Sequence, residues 1–314
     1  MIYLRNKRIR EQAHSYNCAE DCRSELAREP YPCTKNRRKY FLITHLLRGR
    51  QNGFTLIELI VVIVLLGIVG AMGADFISQA FKGFFDSDVR MEMYEEGKTA
   101  LVRMEREIHI ALPNAVQEPF DSDADTVDDT ISIGVIDENA MAGVFGQYTE
   151  AHPSGDFTIT DRTAALQVSN PLVSIYNTSW ADFSDSSRIY RVTSASGVNP
   201  MILSETIGPA SPYGRYYAVR SEAVRFSVAS GVLSRSTTTV TEGSALDETD
   251  FANNQQTLAK NVQPAVDPSN APLPYFTYEP GTSTRNSVVV INFAISRNEE
   301  TVNFHKEIQV RNVP

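Results

Sequence analysis

Beyond Gly53 the chain has no cysteine, since Cys18, Cys22 and Cys33 all precede that residue. The spacings of these three match no common zinc or haem pattern. A domain without thiols tolerates an oxidising compartment, but it gains no disulfide support and must be held by its core. Positive charge is also scarce there. Residues 1–53 hold 12 of the 29 Lys+Arg and 5 of the 38 Asp+Glu, leaving 17 basic against 33 acidic residues, a net −16, for the remainder. That balance excludes phosphate-backbone binding as a function, because nucleic-acid affinity comes largely from Lys and Arg releasing counterions. Histidine is equally thin: only His109, His152 and His305 follow Gly53, and none lies in a nucleophile, metal or acid–base pattern. Nothing in the sequence argues for an enzyme, and no cofactor is expected.

What the chain does contain is one long apolar run. Phe54 to Ala74 reads FTLIELIVVIVLLGIVGAMGA, with Glu58 its single ionisable group. About 20 such residues, rising 1.5 Å each, cover a hydrocarbon core of roughly 30 Å, so this segment is expected to cross a lipid bilayer as a helix. Lys35, Arg37, Arg38, Lys39, Arg48 and Arg50 crowd its N-terminal side, whereas Asp75, Asp86 and Asp88 follow it. The positive-inside rule then places the N-terminus in the cytoplasm and residues 75–314 outside. A secretory signal peptide fits less well, because its small-residue cleavage site follows the apolar core. An ionised carboxylate in hydrocarbon costs at least ~2.5 kcal/mol, so Glu58 either reaches the interface, is protonated, or meets a cation from another chain. Gly67, Gly70 and Gly73 serve close helix packing or local melting, with packing the simpler reading.

Gly-Phe-Thr-Leu-Ile-Glu at 53–58, preceded by Arg48 and Arg50 and followed by the apolar run, resembles the type IV prepilin processing signal of the pilin and pseudopilin family. The resemblance implies that a prepilin peptidase cuts after Gly53, that the amine of Phe54 is methylated, and that Glu58 attracts the N-terminal amine of a neighbouring subunit during assembly. It implies as partners other major and minor pilins and an inner-membrane assembly platform. Within the family, GAMGADFISQAFKGF and MEREIHIALPNAV are most similar to the larger minor pilins of mannose-sensitive haemagglutinin (MSHA) type pili. A large, tip-located type II secretion pseudopilin shares every one of these residues, and a single-pass anchored enzyme or binding domain is a third reading. Residues 1–53 form an unusually long leader for the family. With no Met between Met1 and Met72, a start nearer Gly53 requires a non-standard codon, for instance at Leu46 or Leu47.

Past the membrane, Phe81, Phe84, Phe85, Tyr94, Gly97, Leu101, Met104, Ile108 and Ala111 suggest one apolar stripe, with alternating threes and fours from Tyr94 onward. The helix is therefore expected to continue over 75–112 and stop at Pro113, roughly 90 Å of helix from 54 to 112. Strand-length patterns follow at Thr130–Ile136, Arg188–Val192, Ala223–Val228 with Gly231–Ser236, Ser287–Ser296 and Thr301–Arg311. The last two pairs read as hairpins, turning at Ser230-Gly231 and within Arg297–Glu300. Residues 237–286 lack a pattern and are expected to form a long loop. The expected class is α+β and pilin-like: a long N-terminal helix on a mainly antiparallel β head over 113–314.

Two further features have bland and functional readings. Asp121, Asp123, Asp125, Asp128 and Asp129 start like a calcium loop, but Thr126 and Ser132 stand where such a loop needs Gly and Glu. A solvated acidic turn is the simpler reading, with Asp121, Asp123 and Asp125 the weak metal candidates. Trp180, Tyr176 and Phe183 form either core or an adhesive patch.

Overall fold

A computed structural model describes residues 53–124, 127–149, 155–281 and 285–310. The leader before Gly53, with its cysteines, and Asp125 and His152 lie outside the described residues. In chain order the elements are α1 (Leu56–His109), β1 (Ala111–Val116), β2 (Thr130–Ile136), β3 (Gly146–Gln147), β4 (Thr158–Ile159) and β5 (Leu172–Ser174). Then come α2 (Trp180–Ser184), β6 (Ile189–Arg191), β7 (Met201–Ile202), β8 (Arg215–Ala229), β9 (Val232–Thr239) and α3 (Asp250–Asn253). The C-terminal elements are β10 (Gln256–Lys260), β11 (Val262–Gln263), β12 (Phe276–Glu279), β13 (Ser287–Arg297) and β14 (Glu300–Val310). A long apolar helix followed by antiparallel sheets is the expected α+β, pilin-like architecture.

By packing, the chain divides into Met1–Val64 and Leu65–Pro314. In the first unit, Gly53–Thr55 lie outside any helix or strand and α1 begins at Leu56, with every described residue exposed. The second unit holds the rest of α1 and both main sheets. There α1 changes character along its length: Leu65 to Phe85 leave their apolar side chains exposed, whereas Met93, Gly97, Ala100, Met104 and Ile108 are buried. Spacings of four, three, four and four put those five on one face. Full burial of a Met or Ile side chain contributes roughly 1.5–3 kcal/mol, so this short seam holds the helix to the sheets. The seam shares Gly97, Met104 and Ile108 with the expected stripe, and Met93 and Ala100 are buried in place of their neighbours Tyr94 and Leu101. Tyr94 remains exposed, Leu101 flanks the seam, and Phe81, Phe84 and Phe85 do not join it.

The helix also ends sooner than expected. Ile110 is a turn, and Ala111–Val116, including Pro113, pairs with β2. Leu112 and Ala115 are buried as strand residues. The β1–β2 register is irregular between Ala111 and Val116, and Asn114 there has φ 59°. A bulge is where a strand accommodates a proline that has no N–H to donate.

The larger sheet runs β1-β2-β8-β5-β6, with β9 and β3 also on β8 and β10 on β9. The 15-residue β8 reaches three apolar clusters: Val224, Phe226 and Val228 join the one that buries α1, Tyr216 and Ala218 join another with Tyr148, Ile159 and Tyr190, and Tyr217, Val219 and Ala223 join a third with Phe183 and Phe251. The second sheet has β13 at its centre, β14 along one side, and β12 and β11 on the other. Both expected hairpins form. Ser230 and Gly231 have φ of 50° and 74°, as do Asn298 and Glu299 with 50° and 68°, the left-handed pair that a two-residue hairpin turn requires.

The interval 237–286 is not one loop. It holds the end of β9, then α3, β10, β11 and β12, and it buries Phe251, Ala259, Val262, Tyr275 and Phe276. These elements are two to five residues long, too short to show a period, and each is placed by a longer neighbour: β10 by β9, β11 and β12 by β13.

A candidate processing and assembly site

Gly53, Phe54 and Thr55 form a short non-helical run ahead of α1, with Phe54 78% exposed and open space wherever a side chain on Gly53 would lie. An uncovered peptide outside any helix, with a small residue before the bond, is a form in which a protease can take hold of a backbone. The next residues show why the helix begins where it does. Thr55 Oγ1 accepts from the Glu58 N–H at 3.3 Å, and the Thr55 carbonyl accepts from the Leu59 N–H at 3.1 Å. Thr55 is thus the N-cap and Glu58 the third helical residue, the T-x-x-E arrangement of a capping box. A carboxylate in the first turn sits at the positive end of the helix dipole. The T-x-x-E spacing of Thr55 and Glu58 is itself the sequence signal for this cap.

The helix that starts there is long and apolar enough to cross a membrane, and none of its most apolar stretch is buried within the protein. It fits a membrane-anchored, single-pass protein. Its far end is tied down by ion pairs that border the apolar seam. Arg297 reaches Glu92 at 3.0 Å and also Glu96, Arg235 reaches Glu107 at 2.8 Å, Lys306 reaches Glu105 at 2.9 Å, and Arg90 meets Glu300. Only Arg235–Glu107 is largely shielded from water on both sides.

The other sequence candidates fall elsewhere. Asp121 and Asp123 lie together, and the carboxylate that joins them is that of Asp129; oxygens of the three lie within 4.8 Å of one another. They could face a cation, but much of their capacity is used locally. Asp129, buried, accepts from Ser122 N–H, Ser122 Oγ and Thr130 Oγ1 at 2.7–3.1 Å, and Asp121 accepts from the Asp123 and Ala124 N–H groups. His109 is exposed at the end of α1. His305 lies on β14, its Nδ1 2.6 Å from Asn292 Oδ1. Trp180 opens α2 and is half-buried with its ring 5.4 Å from that of the fully buried Phe183, so this pair belongs to packing; Tyr176 packs on a different cluster.

Deeper in the head, three phenols are raised above their ordinary range. Burial is the first cause for Tyr148, Tyr216 and Tyr278, and for Tyr216 the Asp161 carboxylate adds to it. These shifts follow from packing and border no cluster of reactive groups.

Residues 48–74 match the family model for the prokaryotic N-terminal methylation motif. That motif supports a type IV pilin- or pseudopilin-like protein. No curated protein and no solved structure is significantly similar to the chain.

Proposed function

We propose that the chain is a type IV prepilin-class subunit that acts structurally, as a minor pilin. Prepilin peptidase cuts after Gly53, and the new amine of Phe54 is methylated. Phe54–Ala74 holds the protein in the bacterial inner membrane with its N-terminus cytoplasmic and its head outside, from where an inner-membrane assembly platform passes it into a fibre with other pilins. The observation that carries this reading is the methylation motif lying over an uncovered, non-helical Gly53–Phe54 step and a capped helix start. Glu58 supplies the assembly chemistry: a carboxylate that costs several kcal/mol alone in a bilayer becomes a selective contact once it meets the ammonium of a neighbouring subunit.

The machine we assign is an MSHA-type pilus, on the resemblance of residues 53–116 to its larger minor pilins. The same signal serves type II secretion pseudopilins. Deleting the gene separates the two: loss of surface fibres with secretion intact supports the pilus, and retained fibres with lost secretion supports the secretion machine.

Processing is tested by mass spectrometry of the membrane-extracted protein from cells with and without prepilin peptidase. The expected result is a peptidase-dependent start at methylated Phe54. An intact segment before Phe54 in both strains refutes the proposal and leaves 54–74 a plain anchor.

A further inference from the structure

In antiparallel pairing, residues alternate between bonding the partner strand and turning their backbone groups the other way. Along β14 the partner-bonded positions are set by the hairpin pair Arg297↔Glu300, so Val302, Phe304, Lys306 and Ile308 also bond β13. The opposite parity on β13 confirms this, because Asn292 and Ser296 donate away from β14, to the carbonyls of Tyr275 and Asn261. Thr301, Asn303, His305, Glu307 and Gln309 therefore turn their N–H and C=O groups outward, and among the described residues nothing pairs with them. Proline and bulge, two of the usual protections of such an edge, are missing, and Glu307 is the one carboxylate on its outward-facing set. β14 runs 11 residues in unbroken register without a proline or bulge, and its Lys306 points back to Glu105 on α1.

Beside this edge, α1 and β14 form an open groove lined by Ser87, Arg90, Met91, Tyr94, Val302 and Asn303. Met91 is 61% and Tyr94 50% exposed, although each lies next to the buried seam. An incoming strand on β14 would place every second side chain over these apolar residues.

We propose that β14 takes up an extended segment of a different exported protein, apolar at alternate positions, as an added strand. A second copy of this chain fits poorly in either orientation. Antiparallel β14–β14 pairing has a two-fold axis normal to the sheet, which reverses α1, whereas two copies anchored through 65–74 in one bilayer need that helix to run the same way. This step rests on the membrane-anchored reading above. Parallel pairing needs the opposite border of the same sheet, but β12 and β11 are only four and two residues long, and Tyr275 and Phe276 already donate to the Asp128 carbonyl.

The test uses the full chain in producing cells, with a photoreactive residue at the edge (His305→benzoylphenylalanine) and a control on the far border (Gln263→benzoylphenylalanine). The expected product is an edge-specific adduct with a non-identical chain, whose cross-linked peptide alternates apolar and polar residues. Asn303→Pro removes an outward N–H and leaves the β13 ladder intact, so it lowers adduct yield about tenfold, the loss of one backbone hydrogen bond. Met91→Asp, which spoils the groove without touching the ladder, has the same effect and stands in should Asn303→Pro lower the melting temperature of the purified chain. An adduct of the chain with itself, an adduct insensitive to both substitutions, or no adduct at His305 overturns the proposal. The N-terminus is read in the same samples: a start at Phe54 without adduct refutes only strand addition, whereas an adduct on an uncut chain refutes only the prepilin reading.

Discussion

A methyl group added at Gly97 should loosen the head from its helix. Gly97 sits in the buried seam of α1 directly against the Phe304 ring, and the farthest of the three nearest ring atoms would lie only 2.7 Å from an added Cβ. The ring cannot simply swing away. It is 6% exposed, stacked on Phe293 at 4.9 Å and on Tyr94 at 6.3 Å between centroids. Overpacking of this kind costs about 1–3 kcal/mol, while Ala for Gly in a helix interior returns about 1 kcal/mol. Gly97→Ala is therefore expected to destabilise the head by up to about 2 kcal/mol in urea denaturation of the detergent-solubilised chain, followed by circular dichroism. Phe304→Leu should relieve the clash, so that Gly97→Ala becomes neutral or stabilising in that background; the cycle isolates the contact. Gly83, with nothing within 4 Å of an added Cβ, is the control and should show no destabilisation on change to Ala. If Gly97→Ala raises the stability as an exposed helix glycine would, the packing argument is refuted.

Glu107→Gln leaves Arg235 without its partner, and both side chains are shielded, at 13% and 11% exposure. The expected loss is about 3 kcal/mol in the same assay, the cost of one uncompensated buried charge, whereas Arg285→Gln, on an exposed pair with Glu279, should change stability by less than about 1 kcal/mol. Alkaline pH should unfold the head through its buried phenols. Their folded pKa values lie above the unfolded value, so their contribution is complete below about pH 10 and is lost as pH rises beyond it toward the folded values. Tyr216→Phe should make that loss shallower, and a stability curve unchanged in slope above about pH 10 would contradict the assignment.

The membrane segment and the β hairpins were readable from residue order because each is a local property. Twenty-one nearly uncharged residues specify a spanning helix whatever follows them, and Ser230-Gly231 specifies a turn between two alternating runs. The acidic turn was visible too, but the residue that joins Asp121 and Asp123 proved to be Asp129, brought in by its bonds to Ser122 and Thr130. The interval 237–286 was unreadable for the opposite reason: its strands take their register from β9 and β13, and segments of two to five residues carry no period of their own.

By itself, then, the order of residues determined the long apolar helix, Glu58 near its start and the α+β class, all consequences of local hydropathy, periodicity and turn chemistry. Tertiary structure decided that Met93 and Ala100 complete the buried face of α1, that Pro113 belongs to a strand, and that β14 lies at an open edge among the described residues. Met93 beside Tyr94 and Ala100 beside Leu101 are apolar neighbours between which only the covering sheet selects, and a strand is an edge only when no other strand arrives beside it.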